Sequence, residues 1–263
     1  MKILQNKGCK RMKHFFLVAD WGAKHYLIVP EVLLSAGTVY HPKKKGWDLS
    51  RTNLPSVVER VFIDSGGYSF LTGWGKYPFD LEEYLSLCYH VKDKHTLFAV
   101  ATLDLPCLAD PQNDTNQKNI ENTVSNAVAC LDSDKSLPWI PVIQGYTIKE
   151  YQTCMDLYNE AGVASNYWAV GSLTQRKREP IALRRIITYI KDQHKTDNIH
   201  SFGLGIPNLQ DPQIFNAVYS SDSSGWNFWI SGENSRELKK ESAVHYWFQI
   251  EDMIQYAEGQ TTL

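Results

Sequence analysis

Cysteine is scarce and scattered. Five residues (Cys9, Cys88, Cys107, Cys130 and Cys154) form no C-x-x-C pair, and none follows Cys154. This excludes a disulfide framework and a cysteine-rich zinc site. Cys88, Cys130 and Cys154 fall in helix-like segments and read as small core residues. Long apolar runs are also missing. Phe15 to Ala19, the only apolar run before Asp20, is too short for a signal-peptide core or a bilayer span, so a soluble, intracellular protein is expected. Net charge is −2, so no global basic field marks the chain for a polyanion. Any such partner must be held by local patches, and two exist, Lys43-Lys44-Lys45 and Arg176-Lys177-Arg178. Short charge runs are by default solvated loops. There is no Pro- or Ser-rich linker, low-complexity tract or repeat, so residues 1–263 read as one domain, with the stretch to residue 14 as a loose extension.

What is present is an alternation. The 263 residues are 43% apolar, enough for one substantial core. Candidate strands are Phe15–Ala19, Val61–Ile63, Leu97–Leu103, Trp139–Ile143, Tyr167–Val170, Ser201–Leu204, Ala217–Ser221 and Phe228–Ile230. Between them, 80–93, 115–130, 147–161, 179–194 and 235–257 carry helical apolar spacing. Asp80 with Glu83, and Thr147 with Glu150, have the form of capping boxes. Pro180 suits a first helical turn and Gly162 a helix C-terminus. Strands alternating with helices imply a parallel sheet, and eight of them suggest a single (β/α)8 TIM-type barrel, with an open doubly wound sheet as the alternative.

Active sites of barrels gather at the strand C-termini. There the chain reads Asp64-Ser65-Gly66-Gly67-Tyr68, then Asp104-Leu105-Pro106, Gln144-Gly145-Tyr146, Gly171-Ser172-Leu173, Phe202-Gly203-Leu204-Gly205 and Ser221-Asp222-Ser223. Three carboxylates, an amide, aromatic faces and glycine-exposed backbone suit a flat, hydrogen-bonding heterocycle. Paired carboxylates also suit chemistry at a glycosidic carbon, one as nucleophile and one as acid/base. No Ser-His-Asp order is readable. Taken singly, these residues have plainer readings. Asp222 between serines also fits a turn aspartate, Asp104 a turn cap, and Phe202 a core ring. Gln144, ending an apolar strand, needs a polar partner.

Taken together and in order, the motifs resemble those of the guanine transglycosylases, (β/α)8 enzymes that exchange guanine for a 7-deazaguanine base in nucleic acid. Asp64 to Tyr68 is similar to that family's Asp-Ser-Gly-Gly-aromatic motif. Ile143-Gln144-Gly145 resembles its Val-Gln-Gly segment, Val170 to Leu173 its Gly-Gly-Leu segment, Phe202 to Gly205 its Met-Gly-Val-Gly, and Tyr219 to Ser223 its nucleophile segment; about residues 60–230 are covered. The resemblance implies Asp222 as nucleophile and Asp64 as general acid/base. It implies base recognition by Asp104 and Gln144, with Ser65, Gly66, Gly67, Gly145, Gly171, Ser172, Leu173 and Gly203 around the base and Tyr68 and Phe202 on its faces. Arg176, Lys177 and Arg178, with Lys43, Lys44 and Lys45, would hold phosphates, and Trp47, Trp74 and Trp226 would stack exposed bases.

The chain also departs from the tRNA-modifying members. Their C-terminal structural zinc site has no cysteines here, Ser69 stands where they usually have Gln, and Ser172 where they usually have Gly. No metal or cofactor is therefore expected. The pattern resembles the DNA-directed branch, which inserts bases such as preQ0 into DNA. Implied partners are DNA, with tRNA as the alternative, a 7-deazaguanine base, and a homodimer mate or accessory modification proteins. The implied location is the cytoplasm of a bacterium or a phage-infected cell. A non-catalytic nucleic-acid-binding subunit and an enzyme acting on a free nucleoside are the competing readings.

Overall fold

The computed structural model describes residues 12–20, 22–109, 114–194, 196, 198–227 and 235–259. Eight parallel strands follow in order: β1 (His14–Val18), β2 (Glu31–Ser35), β3 (Arg60–Asp64), β4 (Leu97–Ala101), β5 (Trp139–Ile140 and Val142–Ile143), β6 (Trp168–Val170), β7 (Ile199–Ser201) and β8 (Ser220–Ser223). Each pairs with its sequence neighbour, and β1 pairs with β8. The ring closes through β5. Its first half pairs with β4, where Ile140 O accepts from Thr102 N–H; its second half pairs with β6, where Pro141 O accepts from Ala169 N–H. Pro141 divides the strand because it has no N–H to give the ladder, yet its carbonyl still serves. The fold is thus a TIM-type barrel.

Helices α1 (Gly67–Trp74), α2 (Leu81–Lys92), α3 (Thr115–Ser133), α4 (Ile148–Glu160), α5 (Pro180–His194) and α6 (Ser235–Gly259) surround it. Both capping boxes form, on α2 through Asp80 and Glu83 and on α4 through Thr147 and Glu150. Pro180 opens α5, and Gly162 (φ 69°) follows α4. Period-two alternation sends Phe16, Leu33, Phe62, Ala101, Val142 and Ala169 into a small interior cluster, while the other strand face builds the large core under the helices. Cys88, Cys130 and Cys154 are buried there as free thiols.

The strand tally reaches eight with a different member from the one expected. β2 breaks the apolar pattern with Pro30 and Glu31. The acid is tolerated because it is buried among partners at the barrel's lower end: His14 Nδ1 at 2.7 Å, Arg60 Nε at 2.8 Å and Phe15 N–H at 3.0 Å. The expected strand Phe228–Ile230 lies outside the described residues. β7 ends three residues earlier than its motif suggests, because Gly203 turns left-handed (φ 74°). Residues 1–11 lie outside the described residues. Met12, however, is buried, and its N–H donates to Phe215 O. Among the described residues, no helix is long and apolar enough to cross a membrane.

Candidate active site

The strand C-termini surround one cleft of about 440 Å³ lined by Asp64, Gly66, Gly67, Tyr68, Asp104, Gln144, Gly171, Ser172, Phe202, Gly203 and Asp222. Eleven of the fourteen residues expected for catalysis and base binding thus meet in one place. Ser65, Gly145 and Leu173 do not line it. Ser65 and Leu173 are buried behind its wall, and Gly145 packs against the start of α4 beside Tyr151 N.

One wall is a hydrogen-bonded chain. Asp104 Oδ1 accepts from Ser65 Oγ (2.6 Å), and Oδ2 accepts from Gln144 Nε2 (2.5 Å). Gln144 is oriented in turn, because Ser172 Oγ donates to its Oε1 (2.6 Å) while Cys107 N–H donates to Ser172 Oγ (2.8 Å). The Tyr77 hydroxyl accepts from Asp104 N–H (3.1 Å) and sits 2.6 Å from Asp104 O. Burial pushes the Asp104 carboxyl up to about 6, with the Ser65 and Gln144 hydrogen bonds opposing. Ser172 takes the left-handed conformation (φ 60°), unusual for a side-chain-bearing residue. Its two hydrogen bonds offset that local cost, so a serine can stand where the tRNA enzymes carry glycine.

Gly171 has a different reason. A Cβ there would lie 2.2 Å from Gln144 Nε2. Under the base exchange that the resemblance implies, Gly171→Ala should displace the amide from Asp104 and raise KM for the incoming base about tenfold or more, with a smaller change in kcat. Steady-state kinetics at varied base concentration check this, and an unchanged KM contradicts it.

Asp64 stands opposite, half-buried at the end of β3. Its Oδ2 accepts from Gly66 N–H (3.2 Å), and the Ser35 hydroxyl also bonds it. Burial, then the Asp104 and Asp222 charges, raise its pKa to about 7 against those two hydrogen bonds. Asp222, buried on β8, accepts at Oδ1 from Gly203 N–H (2.8 Å) and from His200 Nε2 (3.2 Å). Gly203 must be glycine for this, since its φ is positive and a Cβ would sit 2.3 Å from Thr174 Cγ2. The two acids are thus held differently: the Asp64 carboxyl is raised to about 7, and Asp222 is anchored by one oxygen.

Tyr68, on the first turn of α1, is 55% exposed and lines the cleft. Phe202 forms its floor, edge-on to Phe62 and His200. The basic run divides. Arg176 is committed to Glu179 (2.8 Å), Tyr146 O (3.0 Å) and the Tyr146 ring (3.8 Å). Lys177 lines the cleft, where burial lowers its pKa and Asp222 opposes the shift. Arg178 is exposed. Lys43, Lys44 and Lys45 are exposed on the turn of a hairpin (Tyr40–His41 with Gly46–Trp47) that follows β2 on the same face. Trp226 is no stacking platform: it is buried, donating to Val18 O, because its ring fills the gap beside Tyr26. Trp47 is half-buried against Phe79, and Trp74 is 45% exposed.

Sequence reasoning missed His200, Tyr77, Ser35 and the inward course of Lys177. His200 was legible in principle, since it lies two residues before Phe202 in an extended run and so shares its inward face. Tyr77 lies in a loop and carries no such signal. A search of curated proteins gives no match to this chain. A family model, DpdA (DeoxyPurine in DNA protein A), matches residues 23–237, which span the cleft from Ser35 to Asp222. The chain belongs to the DpdA family, the DNA-directed 7-deazaguanine transglycosylases.

Proposed function

We propose that this enzyme exchanges guanine in DNA for a 7-deazaguanine base such as preQ0 by double displacement through Asp222. In the first step Asp222 Oδ2 attacks C1′, the C1′–N9 bond breaks, and the electron pair leaves with guanine as Asp64 delivers its proton to the departing base. In the second step the Asp64 carboxylate takes the N9 proton of the incoming base. N9 then attacks C1′, and the bond to Asp222 breaks with its electron pair returning to the carboxylate. Two inversions give retention. The target nucleotide leaves the stack to enter the cleft, where Asp104 accepts from the donors of the purine edge, Gln144 donates its second N–H, and Tyr68 covers one face.

The observation that carries this reading is the contrast between the two acids lining one cleft. Asp64 has its pKa raised to about 7, and Asp222 carries both of its hydrogen bonds on Oδ1, leaving Oδ2 without one among the described residues. The test incubates the purified chain with guanine-labelled DNA or guanine-labelled tRNA plus unlabelled preQ0. Release from DNA, with little from tRNA, is expected. Release from tRNA alone would make this a tRNA enzyme, and release from neither would favour a non-catalytic subunit. The proposal includes no structural zinc. Elemental analysis should find zinc well below one atom per chain, and stoichiometric zinc would contradict that part.

A further inference from the structure

His200 lies beneath the cleft in the barrel interior, fully buried, with Phe62 stacked on it at 4.3 Å and Phe202 edge-on at 4.7 Å. An imidazole among phenyl rings needs polar partners, and it has two. Nδ1 is 2.7 Å from Ser220 Oγ, and Nε2 is 3.2 Å from Asp222 Oδ1. Ser220 Oγ is itself 2.5 Å from the Tyr167 hydroxyl. A carboxylate only accepts, so Nε2 carries the proton toward Asp222. In the neutral ring Nδ1 then accepts from Ser220, which leaves Ser220 Oγ to accept from Tyr167. Every proton in the chain has one place to go. Burial lowers the His200 pKa below the usual imidazole value, against the pull of the adjacent Asp222 carboxylate, so the ring is neutral at pH 7.

We propose that His200 is the positioning residue of the nucleophile: by donating to Oδ1 together with Gly203 N–H, it fixes the carboxylate plane and leaves Oδ2 as the attacking atom. The proposal rests on the reading of Asp222 as nucleophile. A neutral donor does this without drawing Asp222 into an ion pair, which would dull its attack. In the covalent ester Oδ1 becomes the carbonyl oxygen and still accepts both hydrogen bonds. When the C1′–Oδ2 bond breaks in the second step, charge returns to a carboxylate whose Oδ1 already faces two N–H donors.

His200→Leu should lower kcat about 100-fold with little change in KM for DNA or base. It should leave the pH limb set by Asp64 in place. His200→Gln, whose amide N–H can reach the same oxygen, should recover activity to within about tenfold of wild type. Should the leucine variant fail to fold, Ser220→Ala frees Nδ1 and should cost about tenfold in kcat. Near-wild-type kcat in the folded leucine variant, or in Ser220→Ala if that substitutes for it, overturns the proposal. So does an equal loss in the leucine and glutamine variants.

A second readout needs no turnover. Nitrogen-15 NMR of histidine-labelled protein should show His200 as the neutral Nε2–H tautomer at pH 7 to 8, with its Nε2 resonance shifted in Asp222→Asn. An imidazolium, or an Nδ1–H ring, overturns the proposal. Wild-type protein that releases no guanine, yet shows this tautomer and this shift, would instead locate the failure in the reading of the reaction.

Discussion

Asp222→Asn should reduce guanine release from DNA by about 10³-fold or more while leaving the fold intact. The asparagine carbonyl can accept the hydrogen bonds that Gly203 N–H and His200 Nε2 now give to Oδ1, so the barrel interior keeps its partners. What is lost is the anionic Oδ2, the only atom of the side chain left to form the bond to C1′. Thermal unfolding within about 2 °C of wild type is expected. Asp222→Ala should be equally inactive but less stable by about 1–3 kcal/mol, because two buried N–H donors lose their acceptor. The pair separates chemistry from folding: equal inactivity with unequal stability is the expected pattern. Release retained above a few per cent in Asp222→Asn would remove Asp222 as nucleophile.

The second large effect belongs to Asp64 and has opposite signs for rate and stability. Its folded-state pKa is raised from 3.8 to about 7, so the folded protein holds this proton more tightly than the unfolded chain does. Stability from that source is fully present below about pH 4 and is lost as pH rises through about 7. Asp64→Asn should therefore match wild type near pH 4 and exceed it at pH 8 by about 1–3 kcal/mol. Asn can still accept from Gly66 N–H. Guanine release needs the protonated acid, so wild-type single-turnover rates should fall with unit slope as pH rises through about 7. The variant should be slower by about 10²-fold or more and lack that limb. Equal stability of the two proteins at pH 8 would show that Asp64 is not strained by its surroundings, and a wild-type rate indifferent to pH between 6 and 8 would remove it as the acid.

This tension explains why so much of the site was visible in the sequence. Asp64, Asp104 and Gln144 are polar residues at or just past the ends of apolar strands, where local pattern and chemistry disagree, and such conflicts draw attention to a position; Asp222, inside the all-polar strand Ser220–Ser223, stands out only through the resemblance. Strands Val61–Ile63 and Leu97–Ala101 announce themselves because their apolar runs are unbroken. β2 does not, since Pro30 and Glu31 interrupt it, and Glu31 is made tolerable only by His14, Arg60 and Phe15, residues remote in sequence. The Arg176 to Arg178 run read as one patch, whereas the fold sends Arg176 to Glu179 and Tyr146, Lys177 into the cleft and Arg178 outward. A linear charge run carries no information on which stem faces which way. Tyr77, which braces Asp104, comes from a loop whose course only the assembled barrel dictates.

Asp104 and Asp222 are also held by different residues. Ser65, Gln144, Ser172 and Cys107 hold Asp104, while Gly203 and His200 hold Asp222. Substitutions in the first set should act on KM for the base, and those in the second on kcat. The most direct measurement is to quench the enzyme during turnover of DNA with no incoming base, digest it, and map any deoxyribosyl adduct by mass spectrometry. The account predicts an ester on Asp222, absent in Asp222→Asn. An adduct on Asp64, or sustained guanine release with no adduct at all, would contradict it.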